Sequence, residues 1–102
     1  MKEKNIQNLI RAWCGSHNIP CFRANVGKVQ MANGRWFDTG LPDGFSDLFI
    51  LYNNTIIFIE VKTKKGKQRD DQVEFMNMVR SRGYTYIVAR SIEDVKEGIN
   101  YE

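Results

Sequence analysis

Apolar residues Ile6, Leu9, Ile10, Trp13 and Cys14 recur at helical spacing and Gly15 follows them, so residues 3–15 are expected to form an amphipathic helix. After Pro20, the group Cys21, Phe22 and Val26 marks a short strand. Asn33-Gly34 lies between Val29-Gln30-Met31 and Arg35-Trp36-Phe37, a hairpin signal because both turn residues tolerate positive φ. Its polar flanks suggest an exposed hairpin beside the core. Residues 39–44, with Gly40, Pro42 and Gly44, read as a loop. Two apolar runs follow at 47–52 and 55–62, separated only by Asn53-Asn54, and these are expected to be the core strands of a second hairpin. Helical period returns over 69–82 through Val73, Phe75, Met76 and Val79 and ends at Gly83. Residues 84–89 then read as a buried strand, and Ser91 caps a short helix running through Glu97, with Glu93 and Asp94 in its first turn. This order predicts an α/β domain, a mixed sheet flanked by helices.

A chain of 102 residues with 42% hydrophobic content suits one domain, residues 1–102, around one core. Its net charge of +3 only leans toward a polyanionic partner. Local density says more: Lys62, Lys64, Lys65, Lys67 and Arg69 put five cations within eight residues, a run suited to phosphates or, equally, to a solvated loop. Two cysteines, Cys14 and Cys21, with only His17 to join them, are too few for a disulfide framework or a four-ligand zinc site, so a reduced, cytoplasmic protein is expected. Nothing approaches the roughly 18 apolar residues of a membrane span, so neither a signal peptide nor an anchor is expected.

The chemistry concentrates where Thr55-Ile56-Ile57-Phe58-Ile59 ends in Glu60-Val61-Lys62. A buried carboxylate needs a partner or a cation. The period of two sends Glu60 and Lys62 to one face and Val61 to the other. A two-residue Asn53-Asn54 turn pairs Tyr52 with Thr55 and, counting back, Asp47 with Glu60. Opposed residues have Cβ atoms about 4.5 to 5.5 Å apart, so the two carboxylates could share one hard cation. Asp43, after Pro42, competes with Asp47 but lies about 13 Å farther back along an extended chain, with no strand directly after it. Oxygen ligands suit Mg2+, with Mn2+ as a substitute, and no organic cofactor is indicated. Lys62 would then serve the attacking water or the phosphate. The alternative is a plain Glu60 to Lys62 ion pair at a strand end. Gln72 falls on the apolar arc of its helix and either reaches the site or bonds backbone at the helix start. Glu3 lies on the buried stripe of the first helix, as a distal metal ligand or a first-turn acid.

These residues resemble the VRR-NUC (virus-type replication-repair nuclease) domain of the PD-(D/E)XK superfamily. The resemblance runs through Glu3-Lys4-Asn5-Ile6-Gln7, Gly44-Phe45-Ser46-Asp47-Leu48, Glu60-Val61-Lys62-Thr63-Lys64, Gly66 to Gln72, and Gly83 with Tyr86-Ile87-Val88-Ala89-Arg90-Ser91. Ser46 departs from the proline that the family commonly has before the aspartate. The resemblance implies a restriction-endonuclease-like core in which Asp47, Glu60 and the main-chain carbonyl of Val61 bind the metal. It makes Lys62 the catalytic lysine, Gln72 its supporting glutamine and Glu3 the helix acid. It further implies a phage or prophage protein acting as a homodimer on branched DNA, including four-way junctions. Lys64, Lys65, Lys67, Arg69 and the hairpin cations Lys28 and Arg35 are the expected DNA contacts.

A flap or restriction-type nuclease keeps the same chemistry on another substrate. A non-catalytic nucleic-acid-binding module would use the basic run and the hairpin without needing opposed acids, and a protein-interaction domain would leave those acids unexplained. Trp13, Trp36 and Phe45 are read as core or hairpin packing.

Overall fold

A computed structural model describes residues 1–102. Its elements are α1 (Glu3–Ser16), β1 (Cys21–Arg23), β2 (Lys28–Gln30), β3 (Trp36–Asp38), β4 (Leu48–Tyr52), β5 (Thr55–Val61), α2 (Asp70–Ser81), β6 (Thr85–Ala89) and α3 (Ile92–Gly98). Four strands form one mixed sheet in the order β1-β4-β5-β6, with β5 and β6 parallel and the other pairs antiparallel. β2 and β3 form a separate two-stranded sheet.

Strand alternation divides the sheet into two faces. Leu48 and Ile50 on β4, Ile57, Ile59 and Val61 on β5, and Ile87 and Ala89 on β6 join Ile6, Ile10 and Cys14 of α1 and Val95 of α3 in the larger core. The intervening residues meet α2 on the other face, where Phe75, Val79 and Tyr86 are buried with Phe45, Phe58, Met76 and Val88 against them. Leu9 sits on the helical stripe in the sequence but is 47% exposed, because the buried line of α1 is the narrower Ile6-Ile10-Cys14 set. Trp13 is half-buried against His17 and Tyr101.

The Asn53-Asn54 turn is as the sequence predicts: both residues have positive φ, 52° and 62°, and Tyr52 pairs with Thr55. The register from there sets Phe49 against Phe58 and Leu48 against Ile59. The first hairpin differs in detail. Both strands sit one residue farther from the turn than expected, at Lys28–Gln30 and Trp36–Asp38, with Gln30 opposite Trp36. Only Gly34 takes positive φ, 86°, while Asn33 acts through its side chain, whose Oδ1 accepts from the Arg35 amide at 3.0 Å. The turn therefore closes Met31 onto Arg35 across three residues. Trp36 is 63% exposed, so it does not pack within the hairpin as its aromatic character suggested. At the far end of α2, Gly83 with φ 85° terminates the helix and the Tyr84 amide bonds back to the Val79 carbonyl. The Ser91 hydroxyl caps α3 by accepting from the Asp94 amide.

Candidate active site

The β4 and β5 ladder stops at Leu48 and Ile59, and the next bond is made by a side chain. Asp47 Oδ2 accepts from the Val61 amide at 2.7 Å, so the carboxylate continues the pairing that its own backbone has left. One Asp47 oxygen is thereby fixed and the other remains for the cleft. Just before it, Ser46 is fully buried and its hydroxyl donates to the Leu48 carbonyl at 2.9 Å, which secures the bend into β4.

Glu60 is fully buried. Its Oε1 accepts from the Tyr86 hydroxyl at 2.5 Å, Oε2 has no hydrogen-bond partner, and the Lys62 ammonium lies 3.8 Å from Oε2. Both members of that ion pair are buried, with Lys62 only 6% exposed. Burial pushes the Glu60 carboxyl above its ordinary value, the Tyr86 hydroxyl and the Lys62 charge oppose the rise, and Asp47 adds to it. Burial also raises Asp47, against the Val61 amide, and Glu3 contributes repulsion. Two acids are thus held in a region that disfavours their charge.

Above them lies a cleft of about 420 Å³ lined by Glu3, Val26, Asp43, Phe45, Asp47, Lys62, Arg69, Asp71 and Gln72. A second hollow shares Glu3 and Asp47 with it and continues past Lys4, Gln7, Asn8 and Arg23 of α1 and β1. A larger hollow of about 640 Å³ surrounds the Asn53-Asn54 turn at the opposite end of the strands, but no charged side chain lines it. The chemistry therefore belongs to the acid-lined cleft.

Gln72 is buried at 5% exposure, and its Oε1 accepts from the Arg69 amide at 2.8 Å. It caps the helix, which is one of the two roles its position allowed, and still borders the cleft with Nε2 uncommitted. Glu3 is exposed at the start of α1 rather than buried on its stripe, and it reaches the cleft from the rim. No three His, Cys, Asp or Glu side chains converge as a ligand group, so Glu3 is not drawn into one cluster with Asp47 and Glu60. Asp43 also borders the cleft from an exposed loop position, and its carbonyl accepts from Arg69 at 3.4 Å. Arg69 pairs with Asp71 at 3.2 Å on the same wall.

Lys64, Lys65 and Lys67 are exposed on the loop between β5 and α2, next to the cleft. Arg90 holds that loop from below, its Nη1 donating to the carbonyls of Thr63 and of Gly66, the latter at 2.7 Å. Lys28 and Arg35 are exposed on the separate hairpin, with Lys28 opposite Asp38. Two of these partners, Tyr86 and Arg90, have no role that the sequence pattern announces, although both lie in the segment that carries the family resemblance. Both reach the site through the parallel β5 and β6 pairing, which no local pattern announces. The signal available for Tyr86 was its hydroxyl on the α2 side of a buried strand, a polar group in need of a partner.

A mixed α/β sheet that ends adjacent antiparallel strands in an aspartate and in Glu-x-Lys, with the aspartate and the lysine lining one cleft and the buried glutamate beside that lysine, defines the PD-(D/E)XK nuclease class. The chain belongs to the VRR-NUC domain family, whose family model matches residues 1–93. A solved VRR_NUC domain superposes with a TM-score of 0.71 over 97% of this chain and 95% of that one, at 21% identity, which is a likeness of fold. No curated protein matches the chain. Family membership makes this a nuclease domain with DNA as its substrate, and no helix is long and apolar enough to cross a membrane.

Proposed function

We propose that residues 1–102 form a single domain that acts as a Mg2+-dependent endodeoxyribonuclease, with Mn2+ able to substitute and no organic cofactor. The observation that carries this reading is Glu60 Oε2, a buried carboxylate oxygen without a hydrogen-bond donor, beside a second acid and a lysine. Such an orphan costs stability unless something positive completes it. The donors within reach are carboxylate oxygens, a set that fits a hard divalent ion. Asp47, Glu60 and the Val61 carbonyl would hold that ion. When bound, it supplies Lewis-acid polarisation of the scissile phosphate and acidification of a water.

The chain's own groups then have distinct tasks. Lys62 keeps an ammonium at the cleft floor, where it stabilises negative charge growing on phosphate oxygens. Gln72, with Oε1 committed to the helix cap, offers Nε2 to the water or the phosphate. Glu3 faces Asp47 across the groove and orients what enters from the α1 side. The exposed lysines 64, 65 and 67, with Arg69, Lys28 and Arg35, neutralise the DNA backbone on either side.

For the substrate, we favour branched DNA such as a four-way junction, cut by a homodimer in the cytoplasm of a phage-infected or prophage-bearing cell. A two-fold assembly matches a two-fold junction. Val29 and Phe37, paired across the two-stranded sheet and so on one face of it, are 40% and 58% exposed and supply apolar surface for a second copy. The test is cleavage of labelled four-way, flap and linear duplex DNA with Mg2+, Mn2+ or EDTA. Junction cleavage that EDTA abolishes is expected, and Glu60→Gln should end cleavage while DNA binding persists. Unchanged cleavage by that variant rejects the site, and preference for flaps or linear duplex replaces the substrate while keeping the chemistry.

A further inference from the structure

Glu60 and Tyr86 stand on neighbouring parallel strands. The register pairs Phe58 with Tyr86 and Glu60 with Val88, so Tyr86 starts two residues behind Glu60 on the same face. Its side chain leans forward along the sheet until the hydroxyl meets Glu60 Oε1 at 2.5 Å. The ring is only 3% exposed and packs beneath α2 against Phe75, with centroids 6.2 Å apart. Ring rotation leaves the hydroxyl on its own axis, so this donor has a fixed location.

A buried carboxylate offers four lone-pair sites, and here one donor fills one of them. Committing Oε1 removes the free rotation of the carboxyl plane and thereby sets the direction of Oε2. That oxygen is the one facing Lys62. A tyrosine placed merely to satisfy a core acid would leave the second oxygen without purpose, and a neutral glutamine would have met the hydroxyl with less desolvation. The arrangement has the form of an outer partner that orients a metal ligand.

We propose that Tyr86 is a positioning residue for the divalent ion, clamping Glu60 through Oε1 so that Oε2 is presented to the cation. This rests on the metal-dependent reading of the same site. Tyr86 touches neither substrate nor cation and acts only through Glu60. Removing an outer partner of this kind weakens metal binding by about 10- to 100-fold.

The experiment is direct titration of Mn2+ into DNA-free protein, followed by loss of the free-ion electron paramagnetic resonance signal. It compares the parent with Tyr86→Phe, Glu60→Gln and the double variant. Tyr86→Phe keeps the ring in place, and it should bind Mn2+ roughly tenfold or more weakly. Its cleavage defect should shrink as Mg2+ is raised. In the Glu60→Gln background, adding Tyr86→Phe should change Mn2+ binding no further. Phe75→Leu disturbs the ring's packing but leaves the hydroxyl, so it should lower the melting temperature while keeping Mn2+ affinity near the parent's.

Parent-like affinity in Tyr86→Phe overturns the proposal, as does an equal loss with and without the Glu60 carboxylate. A loss in Phe75→Leu as large as that in Tyr86→Phe also overturns it, since packing would then explain both. If the parent itself binds no Mn2+, the metal-dependent reading fails and the role of Tyr86 falls with it, an outcome distinct from the others.

Discussion

Asp47 and Glu60 are held where ionisation is disfavoured, and their raised pKa values carry a sign. Each binds a proton more tightly in the fold than in the unfolded chain, where the ordinary values are 3.8 and 4.5. The stabilising contribution is therefore fully present below those values and is lost as pH rises through the raised ones. Metal-free protein should melt at a lower temperature at pH 7 than just above pH 4, and divalent ion at pH 7 should recover part of the difference. Asp47→Asn isolates one half of this effect. Its amide oxygen can still accept from the Val61 amide, but the charge is gone, so the variant should be inactive and more stable than the parent at pH 7. Chemical denaturation at the two pH values measures both, and a destabilised Asp47→Asn would mean that the carboxylate's charge supports the fold. Sequence reasoning reached this pair because the strand period and the two-residue turn are local rules. It took Asp47 for a backbone partner of Glu60, whereas the side chain bonds the next amide along, a substitution visible only once both strands are placed.

At the level of elements, the site depends on the loop after β3 meeting the start of α2. A Cβ on Gly44 would lie 2.2 Å from the Asp71 carbonyl oxygen and 2.7 Å from its carbon, both backbone atoms that cannot step aside cheaply. Gly44→Ala should therefore cost about 1 to 3 kcal/mol by overpacking. Cleavage should fall with it, because Gln72 and Asp47 are carried on the two sides of that contact; unchanged melting and activity would show that the loop yields freely. The glycine was legible as a loop residue, but its reason is tertiary. The same holds for the basic run. Its composition was plain, whereas its bracing by Arg90 depends on β6 returning beside β5. Replacing Lys64, Lys65 and Lys67 by alanine should weaken DNA binding and lower the salt slope by about 2 to 3. An unaltered slope would make this run a solvated loop, the other role its composition allowed.

For the whole molecule, helix order, sheet composition and the second hairpin could be read from apolar spacing, and the first hairpin, exposed beside the core, from its turn and polar flanks, while strand order could not. β2 and β3 pack on no larger sheet, and a two-stranded ribbon alone is marginal in water. A homodimer covering Val29 and Phe37 predicts a solution mass twice that of the chain, falling to one chain in the Val29→Ser, Phe37→Ser variant. A monomeric parent ends that assignment. The backbone contact at Gly44 reaches further than the stability of one loop. Because the chain there lies directly against the Asp71 peptide, the loop cannot breathe outward unless the first turn of the following helix is free to move with it. Amide hydrogens at Phe45 and Gln72 should then exchange with solvent deuterium at matched rates, as one cooperative opening that dissolves the pocket whole instead of loosening it piece by piece.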